Sequence, residues 1–276
     1  MPGTPAFESL LKVIYTSSAI SLHGFYCHAG DSYGSTGLSQ ASHFLSSEVQ
    51  TANEAAKLAT DMISSWSGGI GEHPKFVLSV GSTPTAHSAS ASTRSQLGSL
   101  LHGTLELHAG KDAVICGCTH EKQYLAYWHG ADSNSPGNYP MLDLQQLNTG
   151  LVSPEDIAHK VLATVVSYYP GRGADGTDEA LCDAGAIAMS KDTGPRGGYG
   201  DVIGKPWRLG RISQEHGILT CSHDQRSEVL EVGSAVEIIG QHACLIAAAH
   251  PWYYITDSST GDGTVVVDIW VPWKGW

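Results

Sequence analysis

The chain has 276 residues, 41% of them hydrophobic, which is enough material for one large or two modest folded domains. Only 15% are charged and the net charge is −12, so no basic stripe neutralises phosphates, and binding to nucleic acid or an anionic membrane face is disfavoured. The opening segment MPGTPAFESLLKVIYTSSAI has neither a charged-then-apolar leader pattern nor a bilayer-length apolar run, which predicts a cytoplasmic chain whose cysteines are reduced.

Phe7, Leu10, Leu11 and Ile14 fall on one helical face, and SLHGFYCHAG then reads as a short strand entering a glycine turn. Val49, Ala52, Ala56, Ala59, Ile63 and Trp66 step by three and four, which predicts a second amphipathic helix. KFVLSVG reads as a strand, followed by the loop GSTPTAH, a helix near residues 92 to 102, and a third strand, TLELHAG. This alternation predicts parallel strands with covering helices. After about residue 160 the runs LATVVSYY, ALCDAGAIAMS, RISQEHGILT, AVEIIGQHACLIAAA, WYYITD and TVVVDIWVPW read as strands between Gly, Pro, Asp and Ser, an all-β texture. Neither GRGADGTDE nor KDTGPRGGYGDVIGKP has the spacing of a nucleotide loop.

Three predicted strands end in polar, glycine-bearing loops. They carry Tyr26, His28 and Tyr33; Ser82, Thr83 and Thr85; and Gly137, Asn138 and Tyr139. In a parallel α/β barrel such loops share the active face, where backbone N–H groups, hydroxyls and an amide suit a phosphate; taken singly they also suit ordinary turns and caps. A second candidate is QHACLIAAAH. His242 and Cys244 are two apart on a predicted strand, so their side chains share a face, and imidazole with thiolate suits zinc. The competing reading is a packed strand with a buried cysteine.

In order along the chain, FYCHAGDSYGS, FVLSVGSTPT, ELHAG with GNY, ALCDAGAIAMSKD, ISQEHG and VEIIGQHAC resemble the D-serine dehydratase and D-threonine aldolase group of fold-type III pyridoxal-phosphate enzymes. The resemblance implies an α/β fold: a partial alanine-racemase-like (β/α) barrel over residues 1–155, then an all-β domain over 156–276 bearing a metal site. It implies conversion of D-serine to pyruvate and ammonia with pyridoxal 5′-phosphate and zinc. Tyr26, Tyr33, Thr83, Gly137 and Asn138 match its cofactor-binding positions, and His242 and Cys244 its metal ligands. A small-molecule D-amino acid substrate and a homodimer of the complete enzyme follow from the same resemblance. A thiolate in place of a carboxylate beside His242 favours zinc, and with it the dehydratase over the D-threonine aldolase branch.

Two departures qualify it. The family's cofactor lysine lies in a segment reading roughly Pro-His-x-Lys-Thr-His, and none occurs here, so the chain is expected to begin partway round the barrel and to be inactive alone. Lys75 lies at the wrong end of its strand to substitute. The second departure is that ELHAG and NYPMLDLQQ are separated by residues 111–137, read as an insertion or retained intron. A non-catalytic fragment or pseudoenzyme is the alternative.

Overall fold

The computed structural model describes residues 1–68, 76–89, 103–107, 115–117, 124–125, 141–173, 176–221 and 228–272. They fall into two compact units, Met1–Tyr139 with Thr149–Val152, and Pro140–Asn148 with Ser153–Trp276.

In the first unit, helix α1 (Pro5–Thr16) starts where the Thr4 hydroxyl accepts the Phe7 amide, 3.3 Å away, with Pro5 in the opening turn. Leu11 is buried and Phe7 packs on the core, but Leu10, at the edge of the predicted stripe, is 57% exposed. Helix α2 (Leu38–Trp66) buries Leu45, Val49, Ala52, Ala56 and Ala59. Alanines on that stripe let the helix lie close against strands β1 (Gly24–Cys27) and β2 (Phe76–Val80). Phe76, Leu78 and Val80 alternate into the core, and Phe76 meets Phe25 edge-on at 5.3 Å. β3 (Gly103–Leu107) pairs parallel to β2, as β2 does to β1, in agreement with the predicted parallel order. β4 (Ile115–Gly117) and β5 (Tyr124–Leu125) extend the sheet antiparallel. Both lie inside the segment 111–137; its remainder, the expected helix over 92–102, and Lys75 lie outside the described residues. β1 leads into a 3-10 turn, Gly30–Gly34, and β2 into helix α3 (Thr83–Ser88).

The second unit opens with helix α4 (Leu144–Asn148). Its strands are β6 (Val161–Tyr169), β7 (Glu179–Cys182), β8 (Gly200–Val202), β9 (Trp207–Ile212), β10 (Gly217–Cys221) and β11 (Ala235–Gly240). They close into a barrel in the order β10-β7-β6-β11-β8-β9, antiparallel throughout. Val161, Ala163 and Val165 alternate inward with Leu209, Leu219 and Ile238, and Met189 and Ile246 join the same core from helices α5 (Ala186–Met189) and α6 (Ala243–Ala249).

Those two helices correct the all-strand reading. ALCDAGAIAMS is strand only to Cys182, and β11 stops at Gly240, so His242 is the N-cap of α6 rather than a strand residue. The cause is local: the run Ala243–Ala249 is mostly alanine with no β-branched residue except Ile246, and Gly240 ends the pleat before it. A separate hairpin pairs β12 (Tyr253–Thr256) with β13 (Val266–Trp270). Among the described residues no helix is long and apolar enough to cross a membrane.

Candidate active site

The first unit contributes a polar cradle at the carboxyl ends of β1 and β2. His28 follows β1 and sits between two tyrosines, its ring centroid 6.3 Å from Tyr26 and 6.2 Å from Tyr33, with Nδ1 3.2 Å from the Gly81 carbonyl oxygen beyond β2. Ser32, in the 3-10 turn, shares a buried hydrogen bond with Ser82, Oγ to Oγ 2.6 Å. The Ser82 amide donates to Thr85 Oγ1 at 2.7 Å, which pins the turn into α3. These hydroxyls are thus committed to holding the two loops together. Thr83, the first residue of α3, is 2% exposed. Tyr33 is half-buried and Tyr26 exposed. Gly137, Asn138 and Tyr139 lie outside the described residues.

Beneath this cradle lies Glu48, from the apolar face of α2. It is 1% exposed, and its Oε1 accepts the Ala29 amide at 2.7 Å. Burial pushes its carboxyl above the ordinary value, against the opposing pull of the Ala29 amide and the Thr85 hydroxyl. Sequence reasoning missed it, although an acidic residue among Leu45, Val49 and Ala52 on a buried stripe was the available signal.

The second unit brings His242 and Cys244 together, though not by strand alternation. As N-cap and second residue of α6 they lie within one turn, and a hydrogen bond links the two side chains. That bond to Cys244 pushes the His242 imidazole up to about 9; burial opposes the rise and Asp192 adds to it. Asp192 Oδ2 lies 2.5 Å from His242 Nδ1, which orients the ring and leaves Nε2 as its other nitrogen. Fifty residues separate the two, so no spacing in the sequence announces Asp192. Among the described residues no group of three or more His, Cys, Asp or Glu side chains is gathered for a metal ion. The cluster therefore holds an imidazole and a thiol within one turn, with a carboxylate hydrogen-bonded to the imidazole.

Comparison with known proteins agrees with both halves of the chain. Residues 158–256 match the family model described as "Putative serine dehydratase domain". The D-serine dehydratase of Schizosaccharomyces pombe is 42% identical over 272 residues, 98% of this chain and 55% of its own length, so the chain spans about half the length of that relative. The solved structure of D-threo-3-hydroxyaspartate dehydratase from Delftia sp. HT23 superposes with a TM-score of 0.66 at 27% identity, over 99% of this chain and 61% of the other. A C-to-A mutant of a D-threo-3-hydroxyaspartate dehydratase is also solved, in the metal-free form, with a TM-score of 0.63 at 28% identity over 93% of this chain and 57% of that one. An alanine-racemase-like protein from Idiomarina loihiensis shares the fold, with a TM-score of 0.62 over 100% of this chain and 61% of its own at 24% identity. Family model, sequence relative and shared fold together make this chain similar to the D-serine dehydratases, over residues 158–256 by the family model and over 98% of its length by the sequence relative.

Proposed function

We propose that this chain is part of a D-serine dehydratase-like lyase that converts D-serine to pyruvate and ammonia. The observation that carries the reading is the His242–Cys244 pair with Asp192 behind it, inside the segment matched by the serine dehydratase model. Residues 1–155, with 111–137 as an insertion, form part of an alanine-racemase-like barrel that binds pyridoxal phosphate; residues 156–276 form the dehydratase-like β domain with the metal site. When complete the enzyme is a cytoplasmic homodimer.

Tyr26, Tyr33, Thr83, Gly137 and Asn138 hold the cofactor phosphate in this reading, and the place of Thr83 at the turn from β2 into α3 supports that role. His242 Nε2 and Cys244 Sγ hold zinc, a pairing that suits a borderline metal and leaves coordination positions for substrate. The existence of a metal-free form of the related hydroxyaspartate dehydratase supports a metal in this branch. When bound, the cofactor stabilises negative charge at the substrate's α-carbon and zinc draws electron density from the β-hydroxyl that leaves. Asp192 fixes the tautomer of His242 so that a lone pair points outward, while Ser32, Ser82 and Thr85 keep the cradle in one shape. No Pro-His-x-Lys-Thr-His segment occurs in residues 1–276, so this chain alone binds zinc without turning over D-serine.

The test has two arms. Metal analysis of the 276-residue chain should find one zinc, lost in His242→Ala and in Cys244→Ala; retention in both variants removes the metal assignment. Release of ammonia and the matching 2-oxo acid from D-serine (pyruvate), D-threonine (2-oxobutyrate) and D-threo-3-hydroxyaspartate (oxaloacetate) is then compared, with both cofactors added, for this chain and for a longer product carrying the lysine segment. D-Serine turnover by the longer product alone is expected, whereas aldol cleavage of D-threonine would transfer the assignment to the aldolase branch.

A further inference from the structure

Asp143 is 1% exposed and uses both carboxylate oxygens on backbone amides, one three residues on and one far along the chain. Oδ1 accepts the Gln146 amide at 3.0 Å, capping α4, and Oδ2 accepts the Ala243 amide at 2.7 Å, one hundred residues away. Ala243 stands between His242 and Cys244 and is itself 1% exposed. The Gln145 amide donates to the Gln241 carbonyl oxygen at 3.3 Å, so the two segments are fastened at a second point beside the first. Leu142, just before Asp143, is held at φ 57°, in the left-handed region that leucine seldom enters, which marks a backbone whose path is dictated by the packing around it.

We infer that Asp143 is the positioning residue for the His242–Cys244 pair, fixing the amide between the two donors so that imidazole and thiolate are spaced for one metal ion. The inference rests on the zinc reading above and deepens it. A metal held by two protein donors relies on their spacing being set before it arrives, since few other ligands correct a misplaced one. The side chain suits the task because two N–H groups demand two acceptors. Asparagine supplies one acceptor oxygen, and its amide nitrogen would face a donor.

The test is zinc affinity of the full 276-residue chain, measured by competition with a chromogenic chelator, for the native protein, Asp143→Asn, Asp143→Ala and the control Asp183→Ala. Asp183 accepts the Thr164 amide at 2.7 Å on β6, so its loss weakens the barrel without touching the α6 turn. Asp143→Asn should weaken zinc binding about tenfold or more at unchanged stoichiometry, Asp143→Ala at least as much, and Asp183→Ala should lower the unfolding temperature with zinc affinity retained. Native affinity in a folded Asp143→Asn overturns the inference and leaves the zinc reading standing. A native chain that binds no zinc, or that keeps it in both His242→Ala and Cys244→Ala, overturns both. Hydrogen exchange of the Ala243 amide in the metal-free native chain supplies a readout that no variant has to fold for. Slow exchange, unchanged by zinc, supports a preset turn; exchange at open-loop rates overturns it.

Discussion

Glu48 holds the Ala29 amide at 2.7 Å across nineteen residues, so a carboxyl group from the buried face of a long helix fixes the segment after β1 that carries His28 and Tyr33. Glu48→Ala leaves a buried N–H without an acceptor as well as a cavity, and should lower stability by about 2–3 kcal/mol in urea unfolding. Because burial raises the carboxyl's folded-state value above its ordinary 4.5, the folded form favours the proton. Glu48's contribution is therefore fully present below the unfolded value and declines as pH rises through the folded one. Glu48→Gln should flatten that decline; an unchanged pH slope would remove Glu48 as its source.

His159 titrates in the opposite sense. Burial, followed by the neighbouring His250, pushes its imidazole down from 6.5 to about 4. Between those values the unfolded chain binds the proton and the folded chain does not, so stability is complete above 6.5 and is lost as pH falls through about 4. The loss amounts to at most about 3 kcal/mol. His159→Gln should remove most of that acid sensitivity, read from unfolding midpoints at pH 7 and pH 4.5.

Gly185 precedes α5 against the β9–β10 turn, where a Cβ would lie 2.5 Å from the Glu215 carbonyl carbon and 2.5 Å from the His216 nitrogen, both backbone atoms. Gly185→Ala should therefore cost about 3 kcal/mol as the turn is pushed outward. Gly30→Ala meets nothing within 4 Å and should stay within about 0.5 kcal/mol of the native protein. Equal thermal shifts for the two variants would contradict the packing described.

Asp192→Asn keeps the size of the group behind His242 but weakens the hydrogen bond that orients the ring. Zinc affinity should fall about 10- to 100-fold, with little change in barrel stability because Asp192 is only partly buried. An Asp192→Asn chain that binds zinc as the native chain does would show that the ring is oriented by other contacts.

The elements that were legible are those whose pattern lies within one segment. The α2 stripe, the alternation of Phe76, Leu78 and Val80, and the parallel order of β1 to β3 follow from local periodicity. His242 and Cys244 were legible as a neighbouring pair but not in their conformation: an apolar run of that length reads as strand or helix alike, and the short α6 docks Ile246 into the barrel core. Asp192 and Asp143 were out of reach because each acts on a partner fifty or one hundred residues away, whereas Glu48 left one sign, an acid on the apolar stripe of α2. Only the closed barrel brings Asp192 and Asp143 to theirs, and only the docking of α2 brings Glu48 to Ala29.

The strand order of that barrel also sets a timetable for synthesis. β6 pairs with β7, its neighbour in the chain, and on its other side with β11, where Val161 faces Ile238. Until β11 has been synthesised, the side of β6 meant for it has no partner, and Leu162 and Val166 lie along a strand that cannot yet close. Such a strand is open to pairing with another nascent copy, and a barrel closed by its most distant strands folds slowly. Yield in a translation extract should therefore depend on chaperones that shield the nascent chain, and a circular permutant that places β11 ahead of β6 should relieve that dependence.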